Sequence, residues 1–193
     1  GFIEGVTLRR PKITSGEVPS FPMLEIEGKG RVDVVHSVLD NEGSTGSVVL
    51  ATGSGRKGDW NHVTIRNGGL HGLQLCGKDV SMTLQNCRVR GNKQSGIHCS
   101  DNASFGLVEG LIRDNGAYGL ELVSGGMGNV LKCRFYTNDT GIMRRDAGCN
   151  LTASMNVAVV TKTPGRGYPG FRIVAKGEEN LVKQGESEHG VLQ

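Results

Sequence analysis

The chain has 193 residues, with 22 lysines and arginines against 19 aspartates and glutamates, a formal charge of +3. That balance is too slight to imply a nucleic-acid partner, and no apolar run reaches the length of a membrane-spanning helix. One domain's worth of chain with 31 glycines and no sustained helical period leaves a β-rich fold that turns often.

In chain order, the opening stretch to residue 35 reads as one coil carrying a long loop. Val6 and Leu8 make its first strand and Met23 to Ile26 its second, and the prolines Pro11, Pro19 and Pro22 mark an insertion that projects from one edge. From residue 36 the sequence repeats. HSVLDNEGSTGSVVL (His36–Leu50) is followed by a second insertion, Gly53–His62, that contains the only tryptophan, Trp60. Then come HVTIRNGGLHGLQL (His62–Leu75), CRVRGNKQSGIHC (Cys87–Cys99), GLIRDNGAYGLEL (Gly110–Leu122) and CRFYTNDTGIMR (Cys133–Arg144). A third insertion, Lys162–Gly170, precedes FRIVAKGEENLVKQ, a degenerate last coil.

The step between copies is 23 residues: Cys87, Gly110, Cys133 and Asn156 keep it, as do Val89, Ile112, Phe135 and Ala158, and Asn92, Asn115 and Asn138. Each copy is a short alternating run, a polar turn, a glycine and a second alternating run. Alternation with period two marks half-buried strands, and a fixed internal period marks a solenoid. Three short strands per repeat give an all-β, right-handed parallel β-helix of about seven coils, stacked at about 4.8 Å. It is read as one domain over 1–193, with regular coils over 36–160, a degenerate end over 161–193, and a longer protein around it.

Stacking turns equal offsets into ladders. Val38, Ile65, Val89, Ile112 and Phe135 are expected as one inward column, and Leu73, Ile97, Leu120 and Ile142 as another. Met82, Leu84, Phe105, Leu107, Val130, Leu151 and Ala153 supply the third wall. Asn41, Asn67, Asn92, Asn115 and Asn138 mark the turn after the first of these columns, where stacked amides hydrogen-bond and tolerate left-handed backbone. Gly46, Gly72, Gly96, Gly119 and Gly141 close it. Cys87 and Cys133 fall two coils apart, about 10 Å, too far for a disulfide. Five cysteines in core and turn positions point to free thiols and an intracellular compartment, with secretion as the alternative.

Outward positions flanking the first inward column carry Arg66, Arg88, Arg90, Arg113, Arg134 and Tyr136. Gathered by stacking, they make a basic stripe able to clamp carboxylates; the competing reading is a solubilising, edge-blocking face. Trp60 is either an interface anchor in its loop or a cap folded onto the core. A second outward column reads Val48, Gln74, His98, Glu121 and Met143. In it His98 and Glu121 are neighbours on adjacent coils, read as a solvated surface pair. His71 lies one coil before His98. No HxH, HExxH or CxxC spacing occurs, so no metal or cofactor is expected. Asp114 and Asp139, on adjacent coils, are the carboxylate pair nearest to what glycosidic acid–base chemistry needs.

The asparagine turn, glycine and alternating run of RGNKQSGIHC and RDNGAYGLEL resemble the parallel β-helix repeat (pectate-lyase-like) superfamily over roughly residues 30–160. The opening IEGVTLRRP is similar in style to β-helix domains of F-box ubiquitin-ligase receptors and spindle-associated adaptor proteins, which implies a non-catalytic protein-binding or scaffold module. The secreted pectate lyases, polygalacturonases and alginate epimerases are the other resemblance. It implies an acidic sugar polymer as substrate, with the arginines on its carboxylates and one of them or His98 as base. Their motifs are met only by fragments, His71-Gly72 and Arg172-Ile173-Val174. A structural subunit of a larger assembly is the third reading.

Overall fold

The computed structural model describes residues 1–10, 16–161 and 181–185. The first coil holds β1 (Phe2–Glu4), β2 (Thr7–Arg9) and β3 (Leu24–Ile26), the second β4 (Asp33–Val35), β5 (Val38–Asp40) and β6 (Val49–Ala51). The third has β7 (Arg56–Asn61), β8 (Thr64–Arg66) and β9 (Leu73–Cys76), the fourth β10 (Ser81–Gln85), β11 (Arg88–Arg90) and β12 (Ile97–Ser100). The fifth has β13 (Ser104–Val108), β14 (Leu111–Arg113) and β15 (Tyr118–Leu122), the sixth β16 (Met127–Leu131), β17 (Arg134–Tyr136) and β18 (Gly141–Arg145). A seventh begins with β19 (Asn150–Ser154) and β20 (Val157–Thr161), and β21 (Leu181–Gly185) pairs onto β20. Every pairing is parallel, and up to β20 every third strand joins the same sheet, giving three sheets in the orders β1-β4-β7-β10-β13-β16-β19, β2-β5-β8-β11-β14-β17-β20-β21 and β3-β6-β9-β12-β15-β18. The described residues therefore make six complete coils, against the roughly seven expected.

The corners come from single residues in left-handed backbone. Between the first and second sheets these are His36, His62, Asn86, Glu109, Lys132 and Met155, with φ between 48° and 56°. One such residue redirects the chain without a loop, and the next side chain points inward: Ser37, Val63, Cys87, Cys133 and Asn156 are all buried there. Between the second and third sheets Asn67, Gly91, Asp114 and Thr137 take the left-handed role, and the asparagine ladder follows. Asn92 donates from both its backbone N–H and Nδ2 to Asn115 Oδ1 (3.2 and 2.8 Å), and Asn115 does the same to Asn138 Oδ1 (3.3 and 2.8 Å). Buried amides are thus satisfied from coil to coil.

The third wall is built as expected from Met82, Leu84, Phe105, Leu107 and Val130, all buried. Elsewhere the ladders slip by one or two residues. Leu39, not Val38, faces Ile65 and is fully buried. Met143, not Ile142, is the register partner of Leu120. Val48 is buried, and the residue in register with Gln74 is Leu50, two positions on, with Glu25 before it in the column. Asn67 stands beside Gly91 in the left-handed row, and the ladder position of that coil is Gly68, whose N–H donates to Asn92 Oδ1 (2.9 Å). Asn41 shares the slip: its Nδ2 donates to Ser47 O (2.8 Å) while its buried Oδ1 has no hydrogen-bond partner among the described residues.

The expected second insertion is mostly strand β7, bulged where Ser81 faces Arg56 and Met82 faces Gly58. The bulge turns Lys57 inward, where Nζ donates to the Gly28 and Ser54 carbonyls and burial pushes its pKa down. Of the first insertion, residues 16–23 lie along the second coil: Thr45 N–H donates to Pro19 O, and Ser44 Oγ reaches Pro19 O and Phe21 O. Residues 162–170 and most of 171–184 lie outside the described residues.

Candidate functional site

From β2 to β17 each strand of the second sheet is three residues long, so one inward side chain is flanked by two outward ones. Down the inward line run Leu39, Ile65, Val89, Ile112 and Phe135, all buried. The outward column on its C-terminal side is Arg9, Asp40, Arg66, Arg90, Arg113 and Tyr136 in consecutive register. The column on its N-terminal side is Thr64, Arg88, Leu111 and Arg134. The expected stripe is therefore real as an arrangement but double. Arg66, Arg90, Arg113 and Tyr136 are stacked directly, while Arg88 and Arg134 stand two coils apart across the inward line.

Neutralisation is concentrated at one end. Asp40, with a side chain only 1% exposed, takes Arg66 at 2.8 Å and Arg9 at 3.7 Å, and Asn67 Nδ2 donates to its other oxygen. Arg113 meets Asp114 at 3.3 Å. Among the described residues no ion pair reaches Arg88, Arg90 or Arg134. Asp114 faces Thr137 across the coils, its hydrogen-bond donor, so Asp114 and Asp139 do not form an opposed carboxylate pair.

The third sheet carries a different column: Gln74, His98, Glu121 and Arg144 in register. His98 Nδ1–H donates to Glu121 Oε2 (3.1 Å), Ser95 Oγ–H donates to the same oxygen (2.8 Å), and Arg144 donates to Oε1 (3.0 Å). The His98 bond first, then the Ser95 bond, hold the Glu121 carboxyl down to about 2 against the opposing effect of burial. His71 stacks on His98 with centroids 4.5 Å apart, and its Nδ1 accepts the Ser95 N–H (3.2 Å). Burial, then the neighbouring His98, pushes His71 down to about 4. The side chains of His98 and Glu121 are 18% and 12% exposed, so the expected solvated pair is a half-buried knot. The sequence reading sets His71 one coil before His98 but does not single out Ser95 or Arg144. Their only signal is position: the same turn, and one coil after.

The family described as "Right handed beta helix region" matches residues 47–184. The chain belongs to the right-handed β-helix family. No curated protein and no solved structure matches it. In this right-handed β-helix the family accounts for the coils and is silent on which outer face works. Trp60 belongs to the coils as well. It lies in β7, 1% exposed, with Nε1–H donating to Val32 O (2.7 Å), so it is a core residue and not the exposed loop anchor of the first expectation. All five cysteines are free, and burial raises the thiols of Cys87 and Cys133 to about 11 and that of Cys99 to about 12. No helix among the described residues is long and apolar enough to cross a membrane.

Proposed function

We propose that this chain is a protein-binding or scaffold β-helix module whose second sheet receives an acidic segment of a protein partner. The observation that carries this reading is the in-register column Arg66–Arg90–Arg113, flanked by Arg88 and Arg134. Six arginines and one carboxylate occupy the outward positions of β2, β5, β8, β11, β14 and β17. Like charges directly opposite each other on adjacent strands oppose folding, and Arg90 sits between two of them with no acid of its own. Guanidinium groups held on a rigid sheet favour bidentate carboxylate recognition. A soluble face needs charge, but not charge of one sign stacked on itself.

A second reading is supported by Tyr136, which continues the Arg113 column. An aromatic beside cations suits a sugar ring with a carboxylate, so an acidic polysaccharide, bound or cleaved, is the alternative. The test is binding of poly-L-glutamate and of polygalacturonate, with calcium and with a chelator, while monitoring unsaturated products. Tight, salt-sensitive binding of poly-L-glutamate that Arg90→Glu removes is the expected result. Turnover of polygalacturonate that Arg113→Ala abolishes would replace it with the enzymatic reading.

A further inference from the structure

Away from the arginine sheet, three side chains with metal-binding atoms come together from three successive coils. We propose that His71, His98 and Glu121 form a binding site for one divalent transition-metal ion of the zinc, nickel and copper class. One ligand atom from each residue lies within 4.8 Å of the other two. His98 Nδ1 and Glu121 Oε2 are 3.1 Å apart. Two ligands on one ion, with bonds of about 2.0–2.2 Å, stand at about that separation.

The surroundings hold the carboxylate in place for such a role. Arg144 takes Oε1, and Asp146 takes Arg144 in turn (3.2 and 3.4 Å), so the guanidinium charge beside the site is matched by its own acid. Ser95 Oγ–H steadies Oε2. Groups that fix a ligand's direction are what separates a metal site from a chance cluster. Two imidazoles and one carboxylate select borderline ions over calcium and magnesium, which prefer all-oxygen shells. The partial exposure of His98 and Glu121 leaves one side open for water to complete the shell.

Binding has a defined cost. The two rings stack with planes 26° apart, so their in-plane lone pairs run side by side. His71 must turn toward the shared ion, giving up its 3.2 Å bond from the Ser95 N–H. The proton that His98 Nδ1 shares with Glu121 must pass to Nε2 before Nδ1 can bind, a tautomer change that leaves the ring neutral.

The molecule contains its own control. His36 and His62 also stack, at 5.0 Å, and no ion pair to a carboxylate joins them among the described residues. Titration calorimetry of the whole chain with zinc chloride and nickel chloride reads the stoichiometry and the affinity. The expected result is one ion per chain. Affinity should fall at least about ten-fold in His98→Gln and in His71→Gln, stay unchanged in the His36→Gln/His62→Gln double variant, and give no heat with magnesium. His71→Gln keeps an acceptor for the Ser95 N–H, so it tests the site without unravelling the turn. Absence of one-to-one binding in the wild type, or binding that survives His71→Gln and vanishes in the His36/His62 variant, would overturn the proposal.

Discussion

The second and third sheets are built by the same stacking and end up electrostatically opposite. On the second, the register lays Arg66, Arg90 and Arg113 over one another, and one buried acid, Asp40, serves the end of the row. On the third, it lays Gln74, His98, Glu121 and Arg144 over one another, and the last three bond to their neighbours from coil to coil. One face is left wanting a counter-charge and the other has supplied its own. A solenoid amplifies whatever residue each coil offers, so its outer faces become either repelling ladders or bonded chains. The repelling one is where an external partner contributes most.

The corner between these sheets is where both are broken at once. Asn115 is buried, accepts from the Asn92 backbone and side chain and donates to Asn138. Asn115→Ala leaves two buried donors of Asn92 without an acceptor, at about 1–3 kcal/mol each. A loss of about 3 kcal/mol in urea unfolding is expected, the largest effect here, together with weaker poly-L-glutamate binding. A loss below about 1 kcal/mol would mean that the ladder marks the turn without holding it.

Glu121→Gln breaks only the third sheet. It removes the charge from bonds to His98, Ser95 and Arg144, and bonds to charged groups contribute about 1.5–3 kcal/mol. A loss of about 2 kcal/mol with unchanged poly-L-glutamate affinity would confirm that the two faces are separate. A matching loss of binding would show that they are coupled.

Much of this was legible in sequence and some was not, for a physical reason. The 23-residue step located the inward line from Ile65 to Phe135, the Asn92–Asn115–Asn138 ladder and the His98–Glu121 contact. Errors fell where neighbouring residues are both apolar. Val38-Leu39 and Ile142-Met143 each allow a one-residue slip that alternation alone does not forbid, and the apolar run Val48-Val49-Leu50 hides a slip of two. Asn67 was misplaced because a turn asparagine suits both the left-handed position and the ladder beside it. Trp60 stays divided between a loop anchor and a core cap in sequence because β7 runs Arg-Lys-Gly-Asp-Trp-Asn, a polar composition that hides a strand whose bulge buries a lysine; the core reading holds. Spacing motifs also could not find the His71–His98–Glu121 group. Such motifs catch ligands carried on one helix or strand, whereas a solenoid supplies one ligand per coil.

The far border of the arginine sheet is tested by alkali. Cys87 and Cys133 sit at the first corner, and burial raises their thiols to about 11. A group whose folded pKa is raised stabilises below its unfolded value, here 9.0, and loses that contribution as pH climbs through the folded one. Between about pH 9 and 11 each thiol should withdraw up to about 1.4 kcal/mol per pH unit. Cys133→Ala should flatten the decline relative to wild type, and an unchanged slope would assign it to other groups.

The smallest effect is the most diagnostic. Arg90→Thr replaces the middle arginine of the column with a residue suited to an outward strand position and removes two opposed like-charge pairs. Each such pair costs about 0.2–1 kcal/mol, so the free protein should gain a fraction of a kcal/mol while its affinity for poly-L-glutamate falls. The gain should shrink at 1 M salt, where screening acts over about 3 Å. A substitution that stabilises the fold and weakens the complex separates a binding face from a solubilising one. If Arg90→Thr leaves both stability and binding unchanged, the arginines serve solubility and the partner lies on another face.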